Sequence, residues 1–157
     1  MAQEIERKFV VDMAQWQADG EGERYEQGYL SSHAERVVRV RIEGPRAKLT
    51  IKGATRGVTR AEFEYDIPID DAQTMLRTLC EQPVIEKHRH RVPYEGKTWE
   101  VDVFGGENVG LVIAELELAA EDEPFAVPPW AVREVSDDPR YYNSNLVKAP
   151  YRTWRDG

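Results

Sequence analysis

The chain has 157 residues, 41% hydrophobic and 32% charged, with a formal net charge of −8. That length suits one domain, residues 1–157, with a sizeable core, and the composition excludes a disordered chain. The acidic balance argues against a general nucleic-acid binder, whose surface is basic. No apolar run approaches the ~20 residues of a membrane helix, and nothing resembles a signal peptide. Cys80 is the sole cysteine, which rules out an intrachain disulfide or a zinc cluster of cysteines. A cytoplasmic location is the expectation.

Most of the sequence reads as strands. Glu4 to Val11 is the first. Asp12 then caps a short helix over Met13 to Asp19, and Gly20 to Gly22 turns. Arg24 to Ser32 is the second strand and Glu35 to Glu43 the third. Gly44-Pro45 is a turn signal, so Arg46 to Lys52 pairs back as the fourth. Val58 to Ile69 is the fifth. From Asp70 to Glu81 the period becomes helical, with Ala72, Met75, Leu76 and Leu79 on one face and Asp70 or Asp71 as cap. Pro83 to Pro93, Lys97 to Phe104 and Leu111 to Ala119 are the sixth, seventh and eighth strands. Tyr141 to Lys148 is a short helix ended by Pro150.

Seven strands share one pattern: charged residues in one phase and mainly apolar residues in the other. Successive side chains of a strand point to opposite faces. The charged phase holds Glu4, Glu6, Glu62, Glu64, Asp66, Glu100, Asp102, Glu115 and Glu117. It also holds Lys8, Arg39, Arg41, Lys48, Lys52, Arg60, Lys87, Arg89 and Arg91. A solvated sheet face could produce this, but such faces mix signs. Here strands three, four and six carry bases only, and seven and eight acids only. About eight antiparallel strands are enough to close a barrel. The expected fold is therefore mainly β (α+β): an eight-stranded antiparallel barrel around a charged tunnel, with covering helices. A membrane barrel shares the inside-out pattern, but lacks support here from an export signal or long loops. A neutral lining with separated signs suits a metal-chelated polyphosphate, with carboxylates on Mg²⁺ or Mn²⁺ and Arg and Lys on phosphate oxygens.

The residues that carry these charges also resemble a known family. Glu4-x-Glu6-x-Lys8, Gln27-Gly28-Tyr29-Leu30, Arg39-Val40-Arg41, Thr50-Ile51-Lys52 and Arg60-Ala61-Glu62-Phe63-Glu64 occur in order. Glu86-Lys87-His88-Arg89, Trp99 to Phe104, Glu115-Leu116-Glu117 and Arg140-Tyr141-Tyr142-Asn143 follow. A lone ExExK is weak evidence; the ordered set is specific and is similar to the CYTH domain, the triphosphate tunnel metalloenzymes. That resemblance implies an eight-stranded antiparallel tunnel barrel and cleavage of a triphosphate with Mg²⁺ or Mn²⁺. It implies Glu4, Glu6, Glu115 and Glu117 as metal ligands, with Glu62, Glu64 and Asp102 as ligands or supporting groups. Lys8, Arg39, Arg41, Lys52, Lys87 and Arg89 match phosphate-binding positions, and Arg60 belongs to the same charged set. Lys87 and Tyr29 are the catalytic candidates. Phenols ionise only near ~10 and are poor bases at neutral pH, so Tyr29 is the weaker of the two.

The short chain and near-N-terminal motif make inorganic tripolyphosphate the expected substrate. Nucleoside triphosphatase, thiamine triphosphatase, adenylate cyclase and a non-catalytic polyphosphate-binding module are the rivals, and Trp16, Trp99 or a tyrosine at a tunnel mouth would favour a nucleotide. His88 and His90 read as surface residues and Cys80 as a small buried hydrophobe. Trp130, Trp154, Tyr141 and Tyr142 pack the tail, and Arg7 pairs with an acid on a covering element. The outward apolar phase exceeds what one helix covers, which points to a homodimer contact.

Overall fold

The computed structural model describes residues 2–154. Nine strands form in chain order: β1 (Gln3–Val11), β2 (Glu23–His33), β3 (Arg36–Glu43), β4 (Arg46–Lys52), β5 (Thr59–Ile67), β6 (Ile85–Tyr94), β7 (Lys97–Phe104), β8 (Val112–Glu117) and β9 (Ala131–Glu134). Helix α1 (Ile69–Thr78) follows β5, and α2 (Asn143–Lys148) lies in the tail. The first eight strands match the bounds expected from the alternation to within two residues at each end. They run in the order β5-β4-β3-β2-β6-β7-β8-β1, every neighbour antiparallel, and β5 also pairs with β1, which closes the barrel. Turn chemistry fixes the registers. Between β6 and β7, Glu95 and Gly96 both have positive φ, 48° and 82°, the geometry of a tight two-residue hairpin.

Strand β1 is the seam. Residues 3–5 bond to β5, residues 6–10 to β8, and residues 9–11 to the short β9. The apolar outer phase is covered in three places. Helix α1 lays Ala72, Leu76 and the buried Cys80 on Val40 and Ala47. It comes this close because position 28 is glycine: a Cβ there would sit 2.8 Å from the Cβ of Cys80. The tail packs Tyr141, Leu146 and Val147 on Ile85, Phe104 and Ile113. Trp16, Trp99, Trp130 and Phe125 gather edge-on or tilted around Phe9.

Several expectations are corrected. Met13 to Asp19 forms one turn rather than a helix; the Asp12 carboxylate accepts from the Ala14 amide and closes only that turn. Pro68, not an aspartate, caps α1, and Asp70 and Asp71 lie in its first turn. His90 is buried, because the Trp16 ring stands edge-on to it at 5.4 Å. Trp16 and Trp99 belong to the outer core, not to a tunnel mouth. Arg7 has the expected partner: it donates to Glu134 on β9 and lies over the Phe125 ring. The tail and β9 absorb most of the surplus apolar surface. Ile51, Phe63 and Tyr65 on β4 and β5 stay exposed. Among the described residues no helix is long and apolar enough to cross a membrane.

Candidate active site

The strand order turns an alternating sequence into two walls. Strands β5, β1, β8 and β7 are consecutive around the barrel and bring Glu62, Glu64, Glu4, Glu6, Glu115, Glu117 and Glu100 to one side. Strands β4, β3, β2 and β6 are consecutive on the other and bring Lys48, Lys52, Arg39, Arg41, Lys87, Arg89 and Arg91. Between the walls lies a cavity of about 210 Å³. Every residue of the charged phase lines it except Asp66 and Asp102, the latter fully buried behind Arg89. β3 is not purely basic, since Glu43 lines the cavity too. Asp66, expected inward, is exposed.

Most charges are held in place by partners. Lys8 Nζ donates to Glu115 at 2.7 Å. Lys52 Nζ and Arg60 Nε both reach Glu4 at 3.1 Å. Burial alone would raise the Glu4 pKa, but the two cations outweigh it and hold it at about 2. Arg89 forks onto Asp102 at 2.7 and 2.8 Å and reaches Glu115 at 3.2 Å. The second Asp102 oxygen also takes Lys87 Nζ at 2.7 Å. Asp102 thus has both oxygens occupied by cations, and its geometry is that of an anchor for the basic wall.

Five groups stand out by incomplete pairing or displaced ionisation. Glu6 faces Glu117 directly across β1 and β8, and among the described residues neither has an ion pair within 4.0 Å. Like charges opposite one another in a sheet repel. Burial, then Glu115 and Glu4, push the Glu6 carboxyl up to about 8; burial, Glu4 and Glu62 raise Glu117 as well. On the other wall the buried Nε of Arg39 has no hydrogen-bond partner among the described residues. Arg41 is brought down to about 10 by burial and by neighbouring Arg39 and Arg89. Lys87 is brought down to about 7, chiefly by burial, with Arg89 and Arg41 adding to the effect against the pull of Asp102. The unpaired acids Glu6 and Glu117 and the under-bonded Arg39 line the same cavity.

No group of three His, Cys, Asp or Glu side chains is gathered at metal-ligand spacing among the described residues. The cause is local: Glu4 and Glu115 are drawn onto Lys52, Arg60, Lys8 and Arg89. The unpaired Glu6–Glu117 couple, with Glu62 beside it, still fits a hard dication, whose charge would relieve the repulsion and whose ligands are oxygens. Glu6→Gln should therefore stabilise the protein in chelator. A carboxyl raised in the folded state favours its neutral form there. Its cost is absent below the ordinary carboxylate pKa of ~4.3, grows as pH rises, and is complete above about 8. Calorimetry in EDTA should show the variant melting about 5 °C higher at pH 8.5 and little changed at pH 4.5. Equal gains at both pH values would contradict the assignment.

Sequence reasoning passed over several lining or supporting residues, among them Tyr142, expected to pack the tail but found in the cavity wall. Gln27 is fully buried next to the cavity and bonds Arg41 and Tyr29. Thr50 bonds Arg39 and Glu64. Asn143 and Ser144, from the tail, line the cavity. None is charged, so a search on charge period passes over them; the shared phase of Gln27 with Tyr25 and Tyr29 was the available signal.

The CYTH domain model matches residues 2–142. The chain belongs to the CYTH family. Among its relatives, the inorganic triphosphatase of Acetivibrio thermocellus is 49% identical over 99% of this chain and 100% of its own length. That of Nitrosomonas europaea is 35% identical over 92% of this chain and 96% of its own length. A crystal structure of an inorganic triphosphatase superposes with a TM-score of 0.65 at 33% identity, covering 94% of this chain and 95% of the other. The closed eight-stranded CYTH barrel read from the sequence is thus the fold of this chain.

Proposed function

We propose that this CYTH domain hydrolyses inorganic triphosphate to diphosphate and phosphate, with Mg²⁺ or Mn²⁺ as cofactor. The reading rests chiefly on the opposition in the tunnel: the unpartnered Nε of Arg39, with Arg41 beside it, shares a cavity of about 210 Å³ with the unpaired Glu6–Glu117 couple. An extended triphosphate carrying a dication is complementary to both walls. The two relatives, both inorganic triphosphatases, support the same reaction. The aromatic rings that could stack a nucleobase are engaged elsewhere, and Tyr142, which lines the cavity, has the Arg60 guanidinium carbon 6.0 Å from its centroid. The two tryptophans that could have stacked one are buried outside the barrel. The Tyr25 ring is already covered by Arg41 and Arg89, each with its guanidinium carbon 4.9 Å from the centroid.

Phosphoryl transfer to water asks for positioning and charge neutralisation more than for covalent chemistry. Arg39 and Arg41 take phosphate oxygens through their fork of N–H donors. Lys8, Lys52, Arg60 and Arg89, fixed by their carboxylates, keep the chain in line. Glu6 and Glu117, with Glu4, Glu62, Glu64 and Glu115 around them, are the oxygens available to a dication. When bound, that ion supplies Lewis-acid polarisation of the phosphoryl oxygens. Lys87 is the proton acceptor: water attacks the terminal phosphorus, the bridging P–O bond breaks toward the diphosphate, and the water proton passes to Nζ. Tyr29, whose hydroxyl accepts from Gln27 at 2.9 Å, has the lesser role of lining the phosphate path.

The test is phosphate release from tripolyphosphate, ATP and thiamine triphosphate in Mg²⁺, in Mn²⁺ and in EDTA. Tripolyphosphate should be turned over at least about tenfold faster than either organic triphosphate, a gap of ~1.4 kcal/mol in barrier, and EDTA should stop it. Equal rates on ATP, or cyclic AMP as product, would overturn the substrate assignment.

A further inference from the structure

Lys87 is buried, 1% exposed, and two acceptors fix its Nζ: Asp102 Oδ2 at 2.7 Å and Asn143 Oδ1 at 3.0 Å. Nζ donates a hydrogen bond to Asn143 and is held by the Asp102 charge, which leaves a further position of its tetrahedron for the cavity that Lys87 lines. This holds only while Asn143 presents its oxygen. An amide can present oxygen or NH₂ to a neighbour, and the surrounding hydrogen bonds decide which.

Here the decision is made at a distance. Arg41 Nε donates to Gln27 Oε1 at 2.8 Å, and a guanidinium can only donate. Gln27 must therefore turn its oxygen to Arg41 and its nitrogen away. That nitrogen donates to the Tyr29 hydroxyl at 2.9 Å and to Asn143 Oδ1 at 3.3 Å. Asn143 thus accepts from Gln27 and from Lys87 with the same oxygen. Direction passes from a residue that can only donate, through two amides, to the lysine.

We propose that Gln27 and Asn143 are positioning residues for the triphosphatase reaction: the Arg41–Gln27–Asn143 relay keeps the Asn143 oxygen toward Lys87 and aims the remaining position of its nitrogen into the tunnel. The inference rests on the role given to Lys87 above. It also gives the tail a function beyond cover, because Asn143 is the first residue of α2 and enters the tunnel from outside the barrel.

Three variants of the full chain test it. Gln27→Glu is nearly isosteric and still accepts from Arg41, but has no N–H to hold Asn143, whose amide is free to turn. Asn143→Leu removes the acceptor at similar volume. Asn143→Asp keeps an acceptor toward both neighbours. With tripolyphosphate and Mg²⁺, Gln27→Glu and Asn143→Leu should each lose about 10- to 100-fold in kcat with KM changed by under about threefold, the pattern of a lost transition-state interaction. Asn143→Asp should recover most of that loss. A merely structural contact would instead lower the melting temperature and leave kcat of the folded fraction unchanged, which would overturn the relay. So would an aspartate as inactive as the leucine. A readout independent of turnover is the Lys87 Nζ resonance in side-chain ¹⁵N NMR, which should move in Gln27→Glu; an unmoved resonance overturns the proposal whatever the wild-type activity. An inactive wild type with a moved resonance would overturn only the substrate reading.

Discussion

Lys87→Met should lower kcat on tripolyphosphate by a factor of about 10²–10⁴, the usual contribution of a positioned proton acceptor. Methionine keeps the length and apolar stem of lysine but cannot take a proton. The same variant should remove one limb of the pH profile. A lysine whose pKa is brought down to about 7 is half neutral at that pH, so kcat/KM, which reports the free enzyme, should rise through about 7 and then level. In Lys87→Met the residual rate should lack that rise. Lys87→Arg should not restore it, because arginine stays protonated throughout. If Lys87→Arg kept both the rate and the pH limb, Lys87 would be a phosphate ligand and nothing more. The fold should tolerate the change: Asp102 keeps its fork to Arg89 at 2.7 and 2.8 Å.

The second large effect belongs to the acidic wall. The double variant Glu6→Gln/Glu117→Gln should lose about 10³-fold or more in kcat/KM, several kcal/mol of charge stabilisation at the phosphoryl oxygens. Both substitutions preserve shape and remove only charge. Initial rates measured against Mg²⁺ and against Mn²⁺ should need far more of either ion for half-saturation. Unchanged half-saturation with an unchanged plateau would falsify the assignment of this pair to the dication. The expected melting behaviour runs the other way, since the substitution at Glu6 removes a carboxylate that burial, Glu115 and Glu4 disfavour in chelator. A variant that is more stable and inactive is the signature of a site that stores repulsion for its ligand.

Much of this was legible in the sequence because a barrel of this size repeats one rule. Each strand alternates, and the charged phase of all but β2 identified itself. Register and strand order were not legible, and they decide the rest. Glu6 and Glu117 become a pair only because β1 lies beside β8. Glu100 and Asp102 share a phase in sequence, yet Arg89 and Lys87 bury Asp102 completely while Glu100 lines the cavity. Strand β9 has four residues and no alternating core face, so nothing local distinguishes it from a loop. His90 reads as a surface residue until Trp16 is folded over it. The neutral residues Gln27 and Asn143 were invisible to a search on charge, although the tunnel's hydrogen-bond direction runs through them.

The seam at β1 also bears on how such a chain is made. Lys8 and Glu115 stand 107 residues apart along the chain, yet meet at 2.7 Å. β1 leaves the ribosome first and waits for β8, while the hairpins β3–β4 and β6–β7 form locally. Contacts of such long sequence separation form late and slowly. A nascent chain that stops before Val112 has every basic strand, but its acidic wall lacks β8, the strand that joins β7 to β1. Ribosome-bound chains of increasing length should therefore acquire protease resistance and triphosphate binding in the same step, when β8 slides in beside its waiting neighbour.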